Sequence, residues 1–99
     1  MNNTSNTNPV KSIALTGADQ AVATAQVFYG IVITNESGAS MNIHVHNGAN
    51  GSGTPIIAGL HVNNNDSEYL WFGPNGVNCP SGIWIDVVSG TPTGSVLYR

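Results

Sequence analysis

The ten residues Gln26–Asn35, QVFYGIVITN, alternate two sets of side chains: Val27, Tyr29, Ile31 and Ile33 against Phe28, Gly30, Val32 and Thr34. Residues two apart share a strand face, and β-branched and aromatic side chains suit a pleated surface. The stretch is therefore expected to be a strand. Because both faces are partly apolar, it is expected to be central in a sheet or buried against a partner.

The same reading extends outward on both sides. Asn35-Glu36-Ser37-Gly38 is a turn, after which Met41–Asn47 alternates cleanly, with Met41, Ile43 and Val45 inward and Asn42, His44 and His46 outward. A Gly-rich loop over Asn47–Pro55 leads to Ile56–Ala58 and Leu60–Val62, read as one strand bent at Gly59. Beyond the polar turn Asn63–Asp66, Ser67–Phe72 sets Glu68, Leu70 and Phe72 against Tyr69 and Trp71. Loops at Gly73–Gly76 and Cys79–Gly82 precede a strand in which Ile83, Ile85 and Val87 oppose Trp84, Asp86 and Val88. Thr91–Gly94 turns into a last strand, Ser95–Tyr98, expected to anchor the C-terminus in a sheet. Upstream, Ser12–Thr16 reads as a first strand and Gly17–Gln20 as a turn. Ala21–Ala25 is long enough for one helical turn but too short for a stable helix. Seven or eight short strands punctuated by Gly and Pro predict an all-β fold: a small antiparallel β-sandwich, jelly-roll-like or immunoglobulin-like. The expected organisation is an N-terminal arm over residues 1–10 and a single domain over residues 11–99.

Composition narrows the partners. The 99 residues include only two basic and five acidic side chains, while 40% are hydrophobic and thirteen are Asn. Enough apolar material is present for a core, and the polar coat is amide and hydroxyl rather than ionic. With Lys11 and Arg99 as the only cations, nucleic acid is not an expected partner. No apolar run of membrane-spanning length occurs, and residues 1–12 lack the pattern of a secretory signal, so no membrane partner is expected. Cys79 is the single cysteine and has no internal disulfide partner.

Among groups able to carry chemistry, His44 and His46 stand first. At i and i+2 on a strand they share a face, and His61 is the remaining imidazole for a three-ligand metal site. The pair resembles the paired histidines of cupins, yet no Glu follows a few positions later. Asp66 and Glu68 are the carboxylates considered as partners. The competing reading, a polar outward or interface position for each histidine, outweighs a metal, and no cofactor is expected. Cys79 lacks a nearby base and reads as a small buried apolar residue rather than a nucleophile. The loop Gly48–Thr54 lacks the Lys-Ser/Thr ending of a phosphate loop. Trp71 and Trp84 are candidates for stacking on sugars, against the alternative that they fill core ends or a subunit contact. No enzyme activity is expected.

The most specific text is Leu70–Arg99, LWFGPNGVNCPSGIWIDVVSGTPTGSVLYR. Phe72-Gly73-Pro74, Cys79-Pro80-Ser81-Gly82-Ile83-Trp84-Ile85, Gly90-Thr91 and Gly94-Ser95-Val96-Leu97-Tyr98 together resemble the endings of small phage virion proteins. The resemblance spans roughly residues 25–99 and is to capsid decoration, or cement, proteins of tailed phages, with a cyanobacterial host suggested. It implies a homo-oligomer, a trimer favoured, on the outer surface of the virion capsid, clamping neighbouring major capsid protein subunits. Other head or tail accessory proteins look similar, and a glycan-binding β-sandwich module is the alternative from another class. Within the resemblance, the candidates for contact are Asn2, Asn6 and Pro9 in the arm, His44 and His46, and the aromatic residues Phe28, Trp71, Trp84 and Tyr98.

Overall fold

A computed structural model describes residues 9–99. Asn2 and Asn6, and most of the expected arm, lie outside the described residues. Pro9 and Val10 are exposed.

Nine strands follow in order: β1 (Lys11–Ala14), β2 (Gln20–Val22), β3 (Val27–Asn35), β4 (Met41–Asn47), β5 (Thr54–Val62), β6 (Asp66–Trp71), β7 (Val77–Asn78), β8 (Ile83–Ser89) and β9 (Thr93–Tyr98). They form a five-stranded sheet ordered β1-β9-β3-β6, with the two-residue β7 also on β3, and a four-stranded sheet ordered β2-β8-β4-β5. Every pairing is antiparallel. Setting β7 aside, β1 pairs with β9, β2 with β8, β3 with β6 and β4 with β5, so the chain is a ribbon folded back on itself and rolled. That nested order belongs to the jelly roll, not to the immunoglobulin arrangement. The all-β sandwich predicted from the sequence is what forms.

One hydrophobic core lies between the sheets. Phe28, Ile31, Ile33 and Val96 from the five-stranded sheet meet Val22, Met41, Ile43, Val45, Val62, Ile83 and Ile85 from the other, with Ala25 and Cys79 from connecting segments. Each such aliphatic or aromatic side chain contributes about 1.5–3 kcal/mol by leaving water.

Two local features depart from the sequence reading. Gln20–Val22 pairs with β8 rather than starting a helical turn, because Val22 is needed in the core opposite Ile83. The alternation in β3 breaks at a bulge between Phe28 and Gly30. Phe28 joins Ile31 and Ile33 in the core, whereas Tyr29 stacks on Trp71 outside that cluster. The bend expected at Gly59 is present, with register shifts on either side of His44-Val45.

Candidate functional site

No cavity is found among the described residues. The chemistry available therefore lies on the outward faces of the two sheets, which differ in kind.

On the five-stranded sheet, pairing registers align Ala14, Ser95, Val32 and Tyr69 in one row and Ser12, Leu97, Gly30 and Trp71 in the next. Thr93, Thr34 and Ser67 make a third row. None of these residues is charged. Tyr69 is 60% exposed and Trp71 46%, and Val32 is exposed beside them. The Trp71 ring stacks on Tyr29 with centroids 5.6 Å apart, and the Arg99 guanidinium stands 5.8 Å from the Tyr29 ring centre at the border. Gly30 permits β6 to lie this close to β3: a Cβ there would lie 2.1 Å from the Leu70 carbonyl oxygen, so any side chain would push β6 away. The solvent side of an antiparallel sheet is ordinarily polar. Here hydroxyls and large apolar groups share it.

On the four-stranded sheet, His44 and His46 project outward from β4, as the alternation predicts. Their third neighbour is Asp86, directly across from His44 on β8, and the ligand-capable atoms of the three lie within 4.8 Å of one another. His61, the expected third member, sits opposite Asn42 and outside this cluster, as do Asp66 and Glu68 on β6. The strand pattern set Asp86 on the face opposite Ile83, Ile85 and Val87. What sequence spacing could not supply was that β8 lies beside β4. The His44 and His46 rings stack, with centroids 6.1 Å apart. The Gly-rich loop folds back over this face. Gly53 offers its carbonyl oxygen 2.9 Å from His46 Nδ1, and a Cβ on Gly51 would lie 3.5 Å from Trp84 Nε1.

The aromatic contact candidates divide. Trp71 lies on the open face of the edge strand β6, and Trp84 is half-buried under the Gly-rich loop on the opposite sheet, so neither fills a core end. Phe28 is wholly buried, edge-on to Phe72, because the bulge turns it into the core, and it is not available to a partner. Tyr98 packs against the core from β9. His46 is buried beneath its loop, whereas His44 remains half-exposed. Tyr69, which was not among the candidates, is the most exposed large side chain of the patch. Its opposition to Leu70 in the alternation was the available signal. Cys79 is a buried free thiol, as its apolar reading expected.

Fold and faces together define a small jelly-roll sandwich with one uncharged aromatic face and one histidine–carboxylate face. Comparison with protein-family models, curated proteins and solved structures finds no match to this chain.

Proposed function

We propose that the protein is a structural, non-enzymatic capsid decoration protein of a tailed phage. It attaches to major capsid protein subunits on the outer surface of the shell through the outward face of its five-stranded sheet. The observation that carries this reading is the uncharged patch of Val32, Tyr69 and Trp71, exposed on neighbouring rows of the sheet with no ionic group among them. Docking such a face strips little water from ions, and exposed Tyr and Trp are the side chains that dominate binding at interface centres. The resemblance of Phe72–Tyr98 to virion proteins supplies the partner. Copies held at a local three-fold position, as that resemblance implies, gain strength from many modest contacts. The jelly roll recurs in capsid proteins, lectins and cupins, so the fold alone does not choose among them.

The test is cosedimentation with undecorated shells of the phage that carries this gene. Wild type should pellet with the shells at saturable stoichiometry. The double variant Tyr69→Ser/Trp71→Ser should lose at least tenfold in affinity, since each anchor of this type is worth about 2 kcal/mol or more. Failure of the wild type to bind, or equal binding by the variant, overturns the reading. Two rings exposed on one strand face also favour a second reading, a glycan-binding module. Saturable oligosaccharide binding abolished by Trp71→Ala, without attachment to shells, would establish it instead.

A further inference from the structure

We infer that His44, His46 and Asp86 form a binding site for one divalent transition-metal ion of the zinc class. The inference is independent of capsid attachment and rests on the opposite sheet.

Three observations converge. First, the ligand atoms of the three side chains lie within 4.8 Å of one another on neighbouring strands β4 and β8, whose backbones are fixed by their ladder. Second, His46 is held in one tautomer. Its Nδ1 stands 2.9 Å from the Gly53 carbonyl oxygen, which can only accept, so Nδ1 carries the proton. In the neutral ring Nε2 is thereby left with a lone pair, 3.7 Å from Asp86 Oδ2. An imidazole N–H donated to a backbone carbonyl is the arrangement that orients metal-binding histidines and raises their basicity. Third, that Nε2 is buried and has no hydrogen-bond partner, in a side chain only 8% exposed. A buried polar atom left so is costly and rare.

The distances suit an ion better than a direct bond. His46 Nε2 and Asp86 Oδ2 are 3.7 Å apart, beyond hydrogen-bonding range. Around a tetrahedral ion with bonds of about 2.0–2.2 Å, neighbouring ligand atoms stand about 3.4 Å apart. Side-chain rotation must close the remaining separations, which reach up to 4.8 Å. Two imidazole nitrogens and one carboxylate oxygen favour zinc, cobalt, nickel or copper over magnesium and calcium, which take oxygen ligands. Three protein ligands leave a fourth position for water. Asp86 and His44 are only half-buried, so the ion has an entry path from solvent.

The experiment uses the full chain, stripped with chelator and dialysed, then titrated with zinc chloride by calorimetry and with cobalt(II) by visible absorption. One ion per chain should bind, with the absorption bands of a four- or five-coordinate cobalt centre. At a hundredfold excess of free zinc over the dissociation constant, the melting temperature should rise by about 10 °C or more. His44→Ala and Asp86→Asn replace half-exposed groups and should weaken binding by at least about 100-fold, more than the loss of an outer-shell partner costs. His61→Ala should leave it unchanged. Absence of saturable one-to-one binding overturns the inference. So does an Asp86→Asn affinity within twofold of wild type, or loss of binding in His61→Ala.

Discussion

Asn35 looks like a turn residue in the sequence and behaves as a core bolt in the fold. Its amide nitrogen donates to the carbonyls of Ala39 at 2.7 Å and Val62 at 2.8 Å, and its Oδ1 accepts from the Ser37 amide at 3.0 Å. One buried side chain thus ties the β3–β4 turn to the end of β5. Removing it orphans groups that water cannot reach, at about 1–3 kcal/mol for each one left buried. Asn35→Ala should lower the urea midpoint without changing the slope of the transition, and Asn35→Asp, which swaps a donor for an acceptor, should cost at least as much. The role was illegible beforehand because its deciding partner, Val62, is 27 positions away. Cys79 was legible. Burial pushes its thiol above the ordinary 9.0, opposed by a smaller effect of the Phe28 backbone. A raised value in the folded state means that the associated stability is intact below pH 9.0 and is lost as pH climbs through the raised value. Denaturation curves from pH 7 upward should show that loss in wild type and not in Cys79→Ala. Alkylation of the native thiol should likewise be slow until the chain is unfolded.

At the scale of elements, strand positions followed from alternation, while bulges and neighbours did not. Met41, Ile43 and Val45 turn inward as read, since a one-residue slip would have exposed all three. The Phe28–Gly30 bulge escaped because both Phe28 and Tyr29 satisfy an apolar pattern, and only the pairing with β9 sorts them. Asp86 became part of a histidine cluster for a similar reason: 40 residues separate it from His46, and only strand order brings them together. The β4–β5 loop depends on Gly53. A Cβ there would meet the Asn47 carbonyl oxygen at 2.2 Å, so Gly53→Ala must open the loop. The expected cost is about 1–3 kcal/mol, typical of forcing bulk into a packed site. The same change moves the carbonyl that fixes His46, so zinc affinity should fall about 10–100-fold, as for loss of an outer-shell partner. Thermal melts and zinc titrations of one variant read both effects.

For the whole molecule, the scarcity of charge has a testable consequence once its placement is known. The three rows of the aromatic face carry no charged residue, and Arg99 stands at their border over Tyr29. Attachment through that face should therefore change by less than about twofold between low and high salt, because screening acts there on little more than the border Arg99. Cosedimentation across sodium chloride concentrations measures this, and a steep salt dependence would move the contact to another surface. Nested pairing also governs how the fold is reached. Lys11 stands opposite Tyr98, and β9, emerging after the other strands, takes a place inside its sheet between β1 and β3. A ribosome-bound chain without Thr93–Tyr98 has a five-stranded sheet with its middle missing, so folding waits for synthesis of that strand. Such distant closures carry a large loop entropy before any contact rewards them. Refolding is accordingly expected in the millisecond-to-second range of non-local β proteins, not in microseconds, with stopped-flow fluorescence of Trp71 and Trp84 as the clock.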